Sequence, residues 1–83
     1  MKNGSESLRP LREQIAESLD HYLGQLNGTA PGDLYQIVLD QVEAPLLEAV
    51  LKYADGNQSR AATILGVNRG TLRKKLKAHG LYE

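Results

Sequence analysis

Near the C-terminus, Arg69, Arg73, Lys74 and Lys77 fall on one face of a predicted helix, with Lys75 toward its flank. An arginine in the first turn of such a helix can donate two parallel bonds to O6 and N7 of guanine, and the lysines can neutralise phosphates. Asn68 stands just before them as an N-cap, where free backbone N–H groups and the helix dipole also favour an anion. Gly70 costs about 1 kcal/mol relative to alanine inside a helix. It reads equally as bare backbone for close approach to a ligand or as tolerance near a helix end. This is the chemistry of polyanion recognition rather than catalysis. There is no Ser/His/Asp or Cys/His set and no phosphate-cradling glycine loop. Cysteine is absent, and His21 and His79 have no ligand-spaced companions, so neither a metal nor a cofactor is expected, and the chain does not read as an enzyme.

A cationic helix reads a groove only if something sets its angle. Asn57 is a good N-cap for a short helix from Gln58 to Leu65, with Ala61, Ala62, Ile64 and Leu65 as its packing residues. Ala62 supplies the small residue needed where a second helix crosses. Gly66, four positions on, can take the left-handed conformation that ends a helix sharply. After the turn Gly66-Val67-Asn68, the last helix runs from Arg69 to about His79 and stops at Gly80, with Val67, Leu72 and Leu76 as the buried side. Two helices so joined form a helix-turn-helix, whose second helix lies in the major groove.

The preceding residues read as two longer helices. Residues 1–9 carry no apolar period and are expected to be disordered, and Pro10 suits a first helical turn. Leu11, Ile15, Leu19, Tyr22 and Leu26 then form one apolar stripe, closed by Asn27-Gly28. Asp33 reads as the next N-cap, with Gln36 placed for a capping box. That helix extends to about Ala54, roughly 33 Å, with Pro45 either kinking it or dividing it. Leu34, Tyr35, Ile37, Val38, Leu39, Val42, Leu46, Leu47, Val50 and Leu51 cover too much of its circumference for one buried stripe. A second copy of the chain is the expected cover. Tyr22, Tyr35 and Tyr53 read as core or dimer contacts, the carboxylates of both helices as solvated faces, and His79 as a weak further contact to DNA. The expected organisation is a single all-α domain. It comprises a disordered segment 1–9, a helical dimerisation core 10–54 and a helix-turn-helix unit 55–83.

The zero net charge conceals a strong asymmetry. Residues 1–55 hold nine acids against four bases, whereas residues 56–83 hold six bases against one acid. Such a division marks a polyanion-binding end. No apolar run approaches the roughly 20 residues that span a bilayer. The polar start has no signal-peptide core, so a cytoplasmic location without membrane association is expected.

Two segments resemble the Fis family, the bacterial factor for inversion stimulation. One runs from Leu34-Tyr35 through Val42-Glu43-Ala44-Pro45-Leu46-Leu47. The other runs from Gly56-Asn57-Gln58-Ser59-Arg60-Ala61-Ala62 through Asn68-Arg69-Gly70-Thr71-Leu72-Arg73-Lys74-Lys75-Leu76. The likeness extends from about Pro10 to Leu81. It implies a four-helix subunit intertwined through its first two helices into a homodimer. It also implies a nucleoid-associated protein that bends double-stranded DNA, tolerates degenerate sites, regulates transcription and assists recombination. Because paired recognition helices of this kind sit too close for successive grooves of straight DNA, part of the affinity is set by deformability. Carried over by position, Asn68, Arg69 and Lys74 match base-contacting residues. Asn57, Ser59, Arg60, Thr71, Arg73, Lys75 and Lys77 match phosphate-contacting or flank-contacting ones. A recombinase and RNA polymerase are the further partners implied.

Two departures qualify this resemblance. The family's N-terminal β-hairpin arm has no counterpart in the nine residues before Pro10, which weakens the implication of recombinase activation and leaves DNA binding untouched. Asp55 stands where well-known members carry a basic residue, which weakens the implication of extended flank wrapping. Two alternatives stay open: a helical protein-interaction module with a basic tail, and the detached DNA-binding domain of an NtrC-type activator.

Overall fold

A computed structural model of the chain describes residues 6–82. The described residues form four α-helices: α1 (Arg9–Gly24), α2 (Leu34–Tyr53), α3 (Gln58–Leu65) and α4 (Arg69–Ala78). They are all-α, as the sequence predicts. Two compact units result, one ending at Gly32 and one beginning at Asp33. The second unit holds α2 together with α3 and α4.

In the first unit, a 3₁₀ turn over Glu6–Leu8 leads into α1, so regular structure begins before Pro10. The rest of the expected disordered segment, residues 1–5, lies outside the described residues. The helix ends two residues short of Leu26 because i→i+3 bonds tighten its exit: Gln25 N–H to Tyr22 at 3.2 Å and Leu26 N–H to Leu23 at 3.3 Å. Ile15, Leu19 and Leu26 are half-buried, Leu11 and Tyr22 are exposed, and no residue of α1 is fully buried.

In the second unit, α2 passes through Pro45 unbroken for 20 residues. Proline removes one backbone donor, and the apolar residues on both sides continue the helix through the gap. The expected capping box at its start does not form. Asp33 takes a left-handed backbone (φ 26°) and makes no side-chain cap bond. Gln36 instead reaches forward one turn and donates Nε2–H to Asp40 Oδ1 at 2.8 Å.

The core of this unit lies where α2, α3 and α4 meet. Leu47 and Ala54 come from α2 and its end, Ala61 and Ala62 from α3, Leu72 and Leu76 from α4. The alanines let the helices approach closely, and the leucines fill the space between them. Ile64, expected to pack here, is instead largely exposed, because Ala61, Ala62 and Leu65 already supply the inner face of α3. Most of α2 remains uncovered: Leu47 alone is buried, whereas Tyr35, Ile37, Leu39 and Leu46 are exposed.

The same backbone device closes α2, α3 and α4. A residue in the left-handed region follows each helix, namely Asp55 (φ 55°), Gly66 (φ 77°) and Gly80 (φ 69°). The next N–H then reaches back five residues: Gly56 to Leu51 at 2.9 Å, Val67 to Ala62 at 3.0 Å and Leu81 to Leu76 at 2.7 Å. These are Schellman closures, which satisfy the carbonyls that a helix end leaves free.

Candidate nucleic-acid interface

Both helices of the helix-turn-helix start from an asparagine cap, as expected. Asn57 Oδ1 accepts from the backbone N–H of Arg60 at 3.0 Å, and Asn68 Oδ1 accepts from that of Thr71 at 2.8 Å. The latter bond commits the oxygen of Asn68 inward and leaves its NH₂ as the group available to a ligand. A Cβ added at Gly70 would sit 3.4 Å from that capping oxygen, an ordinary contact, so the cap does not itself require the glycine.

Burial of Leu72 and Leu76 fixes which way α4 faces. At 100° per residue, Lys74 stands nearly opposite those leucines, with Arg73 and Lys77 along one margin. Arg69, Arg73, Lys74 and Lys77 are all exposed, and Arg69 occupies the first turn beside Asn68. Thr71 is half-buried; on α3, Ser59 and Arg60 are exposed. The result is an exposed cationic side of α4 made by Arg73, Lys74 and Lys77, with Arg69 exposed at its start.

Lys75 is placed differently from the other cations. It lies on the margin facing α2, where its Nζ donates to Glu43 Oε2 at 2.7 Å. One turn on, His79 Nε2 meets Glu43 Oε1 at 2.8 Å. Glu43 is thus a bidentate clamp rather than a solvated carboxylate, and His79 faces α2 rather than the cationic surface. The hydrogen bond from Lys75, then that from His79, holds the Glu43 carboxyl below its ordinary range, and partial burial opposes them. Sequence spacing carries no trace of this contact, because its partners are remote in the chain.

Two of the tyrosines expected as core or dimer contacts are not core within the subunit: Tyr53 is 70% exposed at the end of α2 and Tyr35 is 79% exposed. The Arg60 guanidinium lies 5.4 Å from the Tyr53 ring centre. Tyr82 carries Arg73 at 5.5 Å and Lys77 at 5.2 Å from its ring centre. The Gly80-Leu81 pair after a helix was the available signal, since the residue following a C-terminal glycine commonly packs back on the last turn. Among the described residues, no group of His, Asp or Glu could hold a metal ion.

The profile of bacterial regulatory proteins of the Fis family matches residues 38–79, which span α2 from Val38 through α3 and α4. This chain belongs to the Fis family. Its relatives include the DNA-binding protein Fis of Psychromonas ingrahamii, 54% identical over 78 residues, covering 94% of this chain and 79% of that protein. The DNA-binding protein Fis of Photobacterium profundum is 56% identical over 73 residues (88% and 74%). That of Mannheimia haemolytica is 55% identical over the same length and shares. The profile and these relatives bear out the family resemblance read from the helix-turn-helix residues. Within the Fis-family chain, no described helix is long and apolar enough to cross a membrane.

Proposed function

We propose that this Fis-family chain is a non-enzymatic, homodimeric DNA-binding regulator that bends the duplex it binds and acts at the nucleoid. The observation that carries the reading is the orientation of α4: its leucines are buried, whereas Arg69, Arg73, Lys74 and Lys77 are all exposed. Relatives named as DNA-binding proteins support the same chemistry and favour it over a helical protein-interaction module.

Under this reading Asn68, Arg69 and Lys74 meet base edges. Asn57, Ser59, Arg60, Thr71, Arg73 and Lys77 meet phosphates, largely setting affinity rather than specificity. Lys75 reaches a flank only by leaving Glu43. The uncovered apolar residues of α2 support a second copy of the chain as their cover, with residues 10–54 serving as the dimerisation core. Exposed leucine, isoleucine and tyrosine on one helix are otherwise costly in water. A recombinase and RNA polymerase are the further protein partners of this reading, supported by the family resemblance.

The test combines duplex binding across a salt series with sizing by ultracentrifugation and circular-permutation gel mobility. The expected result is a dimer whose affinity falls steeply with salt, on DNA whose mobility depends on site position. Salt-insensitive binding would favour the protein-interaction module, and a stable monomer would remove the dimer.

A further inference from the structure

Two cations of the α4 surface share one aromatic partner that the functional reading leaves unused. After α4, Gly80 turns the chain, the Leu81 N–H bonds to Leu76 at 2.7 Å, and Leu81 and Tyr82 pack against the core. This return holds the half-buried Tyr82 ring beside the helix, 5.5 Å from the Arg73 guanidinium carbon and 5.2 Å from Lys77 Nζ. Both distances lie inside the roughly 6 Å over which the negative face of a ring attracts a cation. Arg73 and Lys77 are four positions apart and so neighbours on one helix face, and the ring spans the turn between them.

We propose that Tyr82 is a positioning residue for nucleic-acid binding, holding Arg73 and Lys77 in place along α4 before the duplex arrives. This rests on the DNA-binding reading above. Free arginine and lysine side chains sample many rotamers, and a ligand that orders them binds less tightly by that amount. Each long side chain ordered in advance is worth about two- to tenfold in affinity. A cation over a ring face keeps N–H donors for other partners, and a guanidinium keeps its in-plane fork. The ring can therefore hold both groups without occupying the donors that phosphates need.

The test titrates one duplex with the full chain and with Tyr82→Leu, Tyr82→Phe and Arg73→Ala across a salt series, with thermal melting of each protein. Tyr82→Leu is expected to weaken binding at least about threefold at fixed salt. Its log–log salt slope should match the parent's, because the same phosphates are still neutralised. Tyr82→Phe retains the ring and should bind like the parent. Arg73→Ala should flatten the slope by about 0.9 for each phosphate left unpaired. Tyr82→Met takes the place of the leucine variant should that one not fold. Parental affinity in the leucine or methionine variant, tighter binding, or an equal loss in Tyr82→Phe would each overturn this assignment alone. A parent chain that ignores duplexes at low salt would overturn the DNA-binding reading, and this assignment with it.

Discussion

Glu43 of α2 and Lys75 of α4 lie 32 positions apart in the chain and meet at 2.7 Å. With His79 on the other carboxylate oxygen, this contact pins two successive turns of α4 to the middle of α2. A helix whose cations must match a groove gains from being held by charge on one margin as well as by leucines beneath.

The clamp gives stability a defined pH dependence. Because the Glu43 carboxyl is held below its ordinary value of 4.5, the folded state binds its proton less readily than the unfolded chain does. Its contribution is fully present above that ordinary value and is lost as pH falls through the lower folded value. Melting temperature measured against pH should therefore drop on the acid side. Glu43→Gln should flatten that limb, and an identical acid limb in the variant would count against the clamp.

Arg69→Ala should lower specific duplex binding by roughly 1–3 kcal/mol and relax preference at one position per half-site, whereas Lys77→Ala should weaken all sequences alike. Competition between matched and mismatched duplexes separates the two. Undiminished discrimination would take Arg69 out of the reading role.

Asp55→Gly should stabilise the protein by about 0.5–1 kcal/mol, because a side chain at φ 55° pays a steric penalty that glycine escapes. Gly66→Ala should act in the opposite sense by about 1 kcal/mol, for the same reason. Denaturant midpoints with unchanged slopes are the measurement.

Leu39 is 43% exposed on the uncovered part of α2. Under the homodimer proposed above, Leu39→Asp should convert the sedimenting species from dimer to monomer and weaken duplex binding about a hundredfold or more, through loss of the second recognition helix. A variant that stays dimeric would move the pairing surface elsewhere.

Much of the fold was legible from local chemistry. Asn57, Gly66, Asn68 and Gly80 each act within a few residues of their own position, so their caps and turns could be read directly. The outward placement of Arg73, Lys74 and Lys77 followed from the spacing of Leu72 and Leu76, whereas Arg69, on the leucines' own side of the helix, is exposed at its first position. What escaped was non-local or conformational. Glu43 could be recognised as a clamp only once α2 lay against α4. The Asp33–Gln36 pair matches the capping pattern in type and spacing, yet the left-handed backbone at Asp33 prevents the box. Ile64 fits the packing pattern of α3 but faces outward, because two alanines and Leu65 already fill the side toward α4.

The Schellman closures after α2, α3 and α4 end each of these helices through main-chain atoms alone. Side chains at those joints carry little of the geometry beyond permitting a left-handed backbone. The exposed side chains of Arg69 and Lys74 take no part in those closures. Exchanging the residues at 69 and 74 should thus alter which duplex is preferred while the scaffold melts almost unchanged, as in a typewriter whose letters can be swapped without rebuilding the carriage.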